Sequence, residues 1–220
     1  MKKAICLLTI FALCFVLSGC IDIFQHITKD NNGVDKLTVK ITVSKAIFEM
    51  VSGLSGNDDF DFENLLNESD MTGGIDVNDY DQYGASVTKV NDSVDVGFLI
   101  DMNIDYSDKN TEKIINRSNH SFIPNYNGKD IIMHIDRLGG DSGSADSNVM
   151  TALFLAAGKY RLAINKKCIA DIDKVIVKAT KDGESIDIDI NFMDLHDEYL
   201  IEIPIPILVM SDVDIIIYSK

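Results

Sequence analysis

Strict alternation of apolar and polar residues is the feature that most constrains the fold of this chain. Residues 36–43 alternate without a miss, and residues 94–104 place six apolar side chains on one face. This is the period of a β-strand with one buried face. Residues 174–179 and 185–192 also alternate and flank Asp182-Gly183, a typical hairpin turn. Besides these four strands we predict strands at residues 85–90, 130–137, 160–164, 199–204 and 213–218.

Helical patterns are fewer and shorter than the strand patterns. Ser44 is suited to cap a helix over residues 45–51, and apolar spacing indicates further short helices near residues 60–66, 108–117 and 149–157. Strands and helices do not alternate in a βαβ rhythm. We therefore predict an α+β fold, mainly antiparallel β-sheet with three or four short helices, whose C-terminal half is compatible with a sandwich.

The first twenty residues have the three parts of a secretory signal peptide. Lys2 and Lys3 precede an apolar run over residues 4–17, and the small residues Ser18 and Gly19 follow it. The run is shorter than the roughly 20 residues that a membrane-spanning helix needs. We expect residues 1–19 to be a signal peptide that is removed.

The C-terminal end of this segment, Leu17-Ser18-Gly19-Cys20, resembles the lipobox of bacterial lipoproteins. The resemblance implies cleavage between Gly19 and Cys20 and lipid attachment to the Cys20 thiol. An ordinary cleaved signal peptide or an uncleaved anchor helix fits less well, because the core is short and a polar segment follows. We expect residues 20–35 to form the lipidated cysteine and a tether, and residues 36–220 to form one globular domain.

The charge balance restricts the partners of the mature chain. The precursor has 20 basic and 35 acidic residues, and loss of Lys2 and Lys3 leaves 18 against 35, a net charge of −17. Nucleic acid and anionic headgroups both require a basic face. We expect no nucleic-acid partner; the expected partners are the membrane, through the lipid on Cys20, and a protein or lipid. The acidity favours solubility over recognition of a cationic ligand.

Four cysteines occur, at positions 6, 14, 20 and 168. Two would leave with the signal peptide and one would carry the lipid, so Cys168 would have no disulfide partner in the mature chain. We expect Cys168 to be a small buried residue rather than a nucleophile.

Motifs for catalysis or metal binding are absent from the sequence. Histidines 26, 120, 134 and 196 lack ligand spacing, and no His-Glu-x-x-His, Cys-x-x-Cys or Gly-x-Ser-x-Gly occurs. The acidic stretches 58–63 and 76–81 offer oxygen ligands of the kind calcium prefers, but neither follows the EF-hand pattern. Asp187, Asp189 and Asn191 are better explained as the solvated face of a strand. We expect no enzymatic activity, cofactor or metal.

The start of the mature chain combines the turn Asp30-Asn31-Asn32-Gly33, the alternating residues 37–43, residues 44–50, and the hairpin pattern of residues 83–104. In these features it resembles the LppM-type lipoprotein domain. The resemblance implies an envelope domain of mixed α/β build with lipid or glycolipid contact.

Together these observations predict an envelope lipoprotein whose non-catalytic domain binds a partner protein or an apolar ligand. A helix over residues 47–54 packed on strands could wall a lipid-sized cavity, and a plain packed core is the alternative. The second hypothesis is a surface-exposed structural or interaction lipoprotein with no small-molecule site. Ile21, and not aspartate, follows Cys20, which favours the outer membrane where the cell has one.

Overall fold

The computed structural model describes residues 21–46, 85–106, 122–138 and 158–220. These residues form twelve strands and one short helix: β1 (Ile21–Lys29), β2 (Asp35–Ser44), β3 (Ser86–Asn91), β4 (Asp95–Ile104), β5 (Pro124–Asn127), β6 (Asp130–Ile135), β7 (Lys159–Asn165), β8 (Ile172–Lys181), β9 (Glu184–Ile190), β10 (Phe192–Asp194), β11 (Glu198–Pro204), α1 (Ile205–Met210) and β12 (Asp212–Ser219). One sheet has the order β10-β11-β7-β1-β2-β4-β3 and the other has the order β5-β6-β12-β8-β9.

The two sheets enclose a single apolar core. Leu37 and Val39 of β2 face inward from the first sheet, and Val213, Ile215 and Ile217 of β12 face inward from the second. β2, β6, β11 and β12 bury alternate residues, as expected for sheets that pack face to face. The described part of the chain is therefore a β-sandwich.

β1 is the central strand of the first sheet. It pairs antiparallel with β2 from Ile21↔Val43 to Lys29↔Asp35, and parallel with β7 from Asp22↔Lys159 to Ile27↔Ile164. The sequence analysis placed residues 20–35 in a tether, whereas the structure places residues 21–29 in this strand. The sheet can accept β1 because Ile23 and Ile27 bury their side chains in the core.

The predicted α+β fold with three or four short helices is wrong for the described residues. Strands take up 68% of these residues, and α1, the one helix that lies wholly within them, has six residues. Pro204 and Pro206 lack the N–H that would continue a strand ladder, and the buried Ile205 and Leu208 cover the end of the core. Lys45 and Ala46 are also helical. The rest of the helices predicted at residues 45–51, 60–66, 108–117 and 149–157 lies outside the described residues.

Different strand ends and turns lie at the two ends of the sandwich. We call the end at which β1 begins the proximal end; it also holds the end of β2, the β3–β4 turn, the start of β7 and α1. Backbone hydrogen bonds join these parts: Lys45 N–H to Val94 O at 2.8 Å, Ile205 N–H to Gly158 O at 3.1 Å, and Leu138 N–H to Leu208 O at 2.9 Å. The opposite, distal end holds the β1–β2 turn, the end of β4 and the β5–β6 turn.

Candidate functional site

The predicted cleavage and lipidation residues, Gly19 and Cys20, lie outside the described residues. The next residue, Ile21, is the first of β1, and its backbone pairs with Val43 of β2. Any group carried by Cys20 is thus joined by one peptide bond to the central strand, at the proximal end. The sequence analysis did not foresee this direct junction.

The proximal end exposes several large apolar side chains. Val94 in the β3–β4 turn is 61% exposed, Met210 at the end of α1 is 56% exposed, and Leu138 after β6 is 42% exposed. Scattered single apolar residues are normal on protein surfaces. Val94, Met210 and Leu138 differ from such scattered residues because all three lie at the proximal end.

Ion pairs balance several carboxylates of the proximal end. Arg161 of β7 contacts the Asp22 carboxylate at 3.1 Å and the Glu202 carboxylate at 3.3 Å, and Lys159 contacts Glu202 at 2.7 Å. The hydrogen bond from Lys159 is the main cause of the lowered pKa of Glu202. This group of charges carries two cations and two anions, so it presents no net negative field.

The β3–β4 turn is held by the side chain of Asp92. Its carboxylate accepts hydrogen bonds from the backbone N–H of Val94 at 2.8 Å and of Asp95 at 2.7 Å. Hydrogen bonding from these two groups lowers the pKa of Asp92. Lys45, which follows β2, donates to the Asn91 side chain at 2.7 Å and to the Asp92 carbonyl. The turn that displays Val94 is therefore fixed in place.

A polar cluster joins the two sheets at the distal end. Asp35, which is 1% exposed, accepts a hydrogen bond from the Tyr126 hydroxyl of β5. The other carboxylate oxygen of Asp35 accepts no hydrogen bond, and the Lys29 ammonium lies 3.4 Å from it. The Lys29 ammonium also lies 5.0 Å from the centre of the Tyr126 ring, within range of a cation–π contact.

Tyr106 and Cys168 border this distal cluster. The Tyr106 ring meets the Tyr126 ring edge-on, with centroids 5.5 Å apart, and its hydroxyl donates to the Pro124 carbonyl. Burial, and then the charge of Asp35, raise the pKa of the Cys168 thiol to about 11 and the pKa of Tyr106 well above its usual value. These groups stay protonated near neutral pH, so the cluster ties the sheets together without a ready nucleophile.

A second buried polar contact lies between the sheets. The Gln25 amide is 0% exposed; its oxygen accepts from the Tyr160 hydroxyl at 2.5 Å, and its nitrogen donates to the Phe122 carbonyl at 2.6 Å. Burial raises the pKa of Tyr160. The sequence analysis missed both Gln25 and Asp35. The signal was present, since each occupies a position that alternation assigns to the core.

The described histidines form separate ion pairs. His26 lies 2.7 Å from Glu198, His134 lies 2.7 Å from Asp214 and 3.2 Å from Asp136, and His196 is almost fully exposed. Within the described ranges, no three histidine, cysteine or acidic residues lie close enough to hold a metal ion. Asp187 and Asp189 are exposed on β9, while His120 and the acidic stretches 58–63 and 76–81 lie outside the described residues.

Two open clefts lie on the surface of the sandwich. One, of about 360 Å³, lies where the chain passes from β9 to β10 and is lined by residues such as Asp189, Phe192 and Glu202. The other, of about 260 Å³, lies beside β2 and β4 and includes Thr38 and Asp101, whose side chains hydrogen-bond at 2.6 Å. Both clefts mix polar and apolar groups. The helix predicted at residues 47–54, which was expected to wall an apolar cavity, is not among the described residues.

Comparison with known proteins identified no relative of this chain. No protein-family model, curated protein or solved structure matches the chain. In the described part of the chain no helix is both long and apolar enough to cross a membrane.

Proposed function

We propose that this chain is a lipoprotein of the bacterial cell envelope, held at a membrane by lipid on Cys20. The observation that carries the proposal is the run Leu17-Ser18-Gly19-Cys20, which follows a basic start and a short apolar core. Ile21 after the cysteine favours the outer membrane where the cell has one.

The proposed anchoring chemistry uses only the Cys20 thiol and the bond before it. The thiol loses its proton and its sulfur forms a thioether with the diacylglyceryl group of a phospholipid, whose phosphorylated headgroup leaves. Water then cleaves the Gly19–Cys20 peptide bond and frees the Cys20 amine. Each buried methylene of the acyl chains contributes about 0.8 kcal/mol of membrane affinity, so two chains suffice for stable anchoring.

The folded domain, in this proposal, is a non-catalytic module that binds a partner protein or an apolar ligand. The similarity of its first half to the LppM-type lipoprotein domain supports lipid contact. The alternative is a structural or interaction lipoprotein with no small-molecule site. The well-packed core and the two open clefts of the described residues favour this alternative over an internal lipid carrier.

Labelling with palmitate in a bacterial host tests the anchor. Cys20→Ser should take up no label and should accumulate as a precursor, because the sulfur that forms the thioether is gone. Cys168→Ser is the matched control and should be labelled and processed normally. Normal labelling of Cys20→Ser would refute the proposed lipidation.

Native mass spectrometry of protein purified without denaturant distinguishes the two versions of domain function. A lipid that remains bound to the domain after removal of detergent supports the ligand-binding version. A mass that equals the protein with its Cys20-linked lipid, and no further lipid, supports the alternative.

A further inference from the structure

We infer that the proximal end of the sandwich lies directly against the bilayer in the anchored protein, with no flexible spacer between lipid and fold. This inference rests on the proposed lipidation of Cys20. It adds an interaction surface on the folded domain and names the bilayer as its occupant.

The chain between the proposed lipid and the sheet is very short. Ile21 already belongs to β1, and adjacent Cα atoms across a trans peptide bond are about 3.8 Å apart. β1 is hydrogen-bonded on both sides, to β2 and to β7. Residues of β1 cannot act as a flexible tether, because freeing them would break the hydrogen-bonded ladders with both neighbouring strands.

The surface around this junction exposes apolar side chains. Val94 and Met210 are more than half exposed at the proximal end, and Leu138 lies at the same end. Apolar side chains at this end gain free energy when they leave water and enter the interfacial region of a bilayer. Burial of these side chains in the bilayer favours an orientation in which the sandwich stands on its proximal end.

The charged side chains of the proximal end also affect its contact with a membrane, because the domain is strongly acidic. At the proximal end Asp22 and Glu202 contact Arg161 and Lys159. Asp95 lies 3.9 Å from Lys40, and Asp92 is held by backbone N–H groups. The ion pairs reduce the repulsion of this end from headgroups below what the whole-chain charge alone would suggest.

This placement puts the distal end away from the membrane. β1 has nine residues, and at about 3.3 Å per residue it spans roughly 26 Å. The β1–β2 turn and the Asp35 cluster then face outward. The competing arrangement is a sandwich that lies flat on the outer face of its first sheet, where Met193 is exposed.

Fluorescence quenching in phosphatidylcholine vesicles tests the inference. The lipidated full-length protein would carry one reactive cysteine at a time, introduced as Val94→Cys, Asn32→Cys or Met193→Cys in a Cys168→Ala background. Each is labelled with an environment-sensitive fluorophore, and the quencher is a spin-labelled lipid. We expect loss of emission and a blue shift for the label at position 94, and neither for the labels at positions 32 and 193.

The mass of the N-terminal peptide, measured on the same samples, distinguishes a failure of the proposed lipidation from a failure of the inferred contact with the bilayer. An unlipidated Cys20 would overturn the proposed function and the inference together. A lipidated Cys20 with an unquenched label at position 94 would overturn the inference alone, and quenching at position 193 in its place would indicate the flat arrangement.

A spacer provides the matched control. A Gly-Ser insertion of about 25 residues after Cys20 reaches roughly the length of β1, while the lipid-accepting cysteine and the fold stay unchanged. We expect the lipid mass to persist and quenching at position 94 to fall. Undiminished quenching would contradict the role given to the direct junction.

Discussion

Gln25 and Asp35 occupy core positions of alternating strands, where their neighbours on the same face are mostly apolar. Each is buried and contacts a tyrosine: Gln25 contacts Tyr160 on the neighbouring strand β7 of the same sheet, and Asp35 contacts Tyr126 of the opposite sheet. A buried polar group costs free energy unless it is hydrogen-bonded. The alternation of the sequence shows where such residues stand, but it cannot show which partner reaches them, because the partner belongs to a distant strand.

Tyr160→Phe should destabilise the protein by about 1–3 kcal/mol, because it leaves the buried Gln25 oxygen without its donor. Urea unfolding measures the change in the free energy of unfolding. Tyr218→Phe, at a half-buried position, is the control and should change stability by less than about 0.5 kcal/mol. Equal effects of the two substitutions would show that the Tyr160 hydroxyl does not support the core.

Gly97→Ala should be more damaging than other glycine substitutions in the described residues. A Cβ at position 97 would lie 1.9 Å from the Ile41 carbonyl oxygen and 2.8 Å from the Thr42 Cα. Since the clash is with backbone, we expect a loss of about 3 kcal/mol or more. Gly128→Ala, at a φ of +66° with open space around it, should cost about 1–2 kcal/mol. Thermal unfolding of both variants compares them, and a smaller loss at position 97 would contradict the tight approach of β4 to β2.

Cys168 should react slowly with iodoacetamide in the folded protein. Burial raises its thiol pKa to about 11, so only about one thiol in a thousand is ionised at pH 8. The alkylation rate, followed by mass spectrometry of peptide 168–174, should rise about tenfold per pH unit up to that pKa. In denaturant the reaction should be fast at pH 8. A plateau near the pKa of a free thiol in the folded protein would contradict the buried environment.

At the level of elements, alternation predicted most of the described strands. β2, β4, β6, β8 and β11 lie within a few residues of their predicted positions. The same is true of β3, β7, β9 and β12. Several of them, such as β2, β6, β11 and β12, have one face in the core and a more exposed opposite face, which is the case that alternation detects.

Three strands and the described helix were not predicted. β1 was taken as part of a tether because it follows the expected cleavage site and Gln25 interrupts its apolar face. β5 and β10 have only four and three residues, too few to show a period. α1 depends on the position of the core that Ile205 and Leu208 cover, and this position follows from the packing of both sheets.

The cross-strand pair His134 and Asp214 predicts a pH dependence for β6 and β12. Burial alone would lower the pKa of His134, but the hydrogen bonds that its ring donates to the Asp214 and Asp136 carboxylates outweigh burial and raise the pKa above 6.5. A pKa raised in the folded state gives stability that is fully present below the unfolded value and is lost as pH rises through the folded value.

NMR titration of the His134 ring should therefore give a midpoint above 6.5, the usual value. Asp214→Asn should lower this midpoint, because it removes the charge directly opposite His134 in the register. In His134→Gln the stabilisation at acidic pH should be absent. An unchanged midpoint in Asp214→Asn would show that the pair does not act on His134.

At the scale of the whole molecule, we propose that a lipid on Cys20 joins directly to the middle strand of a β-sandwich. Residues 17–20 resemble a lipobox, and the structure places the next residue in β1. The sequence could not show this, because the pairing of β1 with β7 joins residues more than 130 positions apart.

The most direct measurement is the mass of the first tryptic peptide of the protein extracted from membranes. After processing, this peptide runs from Cys20 to Lys29. We predict a mass that equals the sequence of residues 20–29 plus a diacylglyceryl group, with or without an added acyl chain on the amine. An unmodified peptide beginning at Cys20, or a peptide that continues into residues 4–19, would contradict the account.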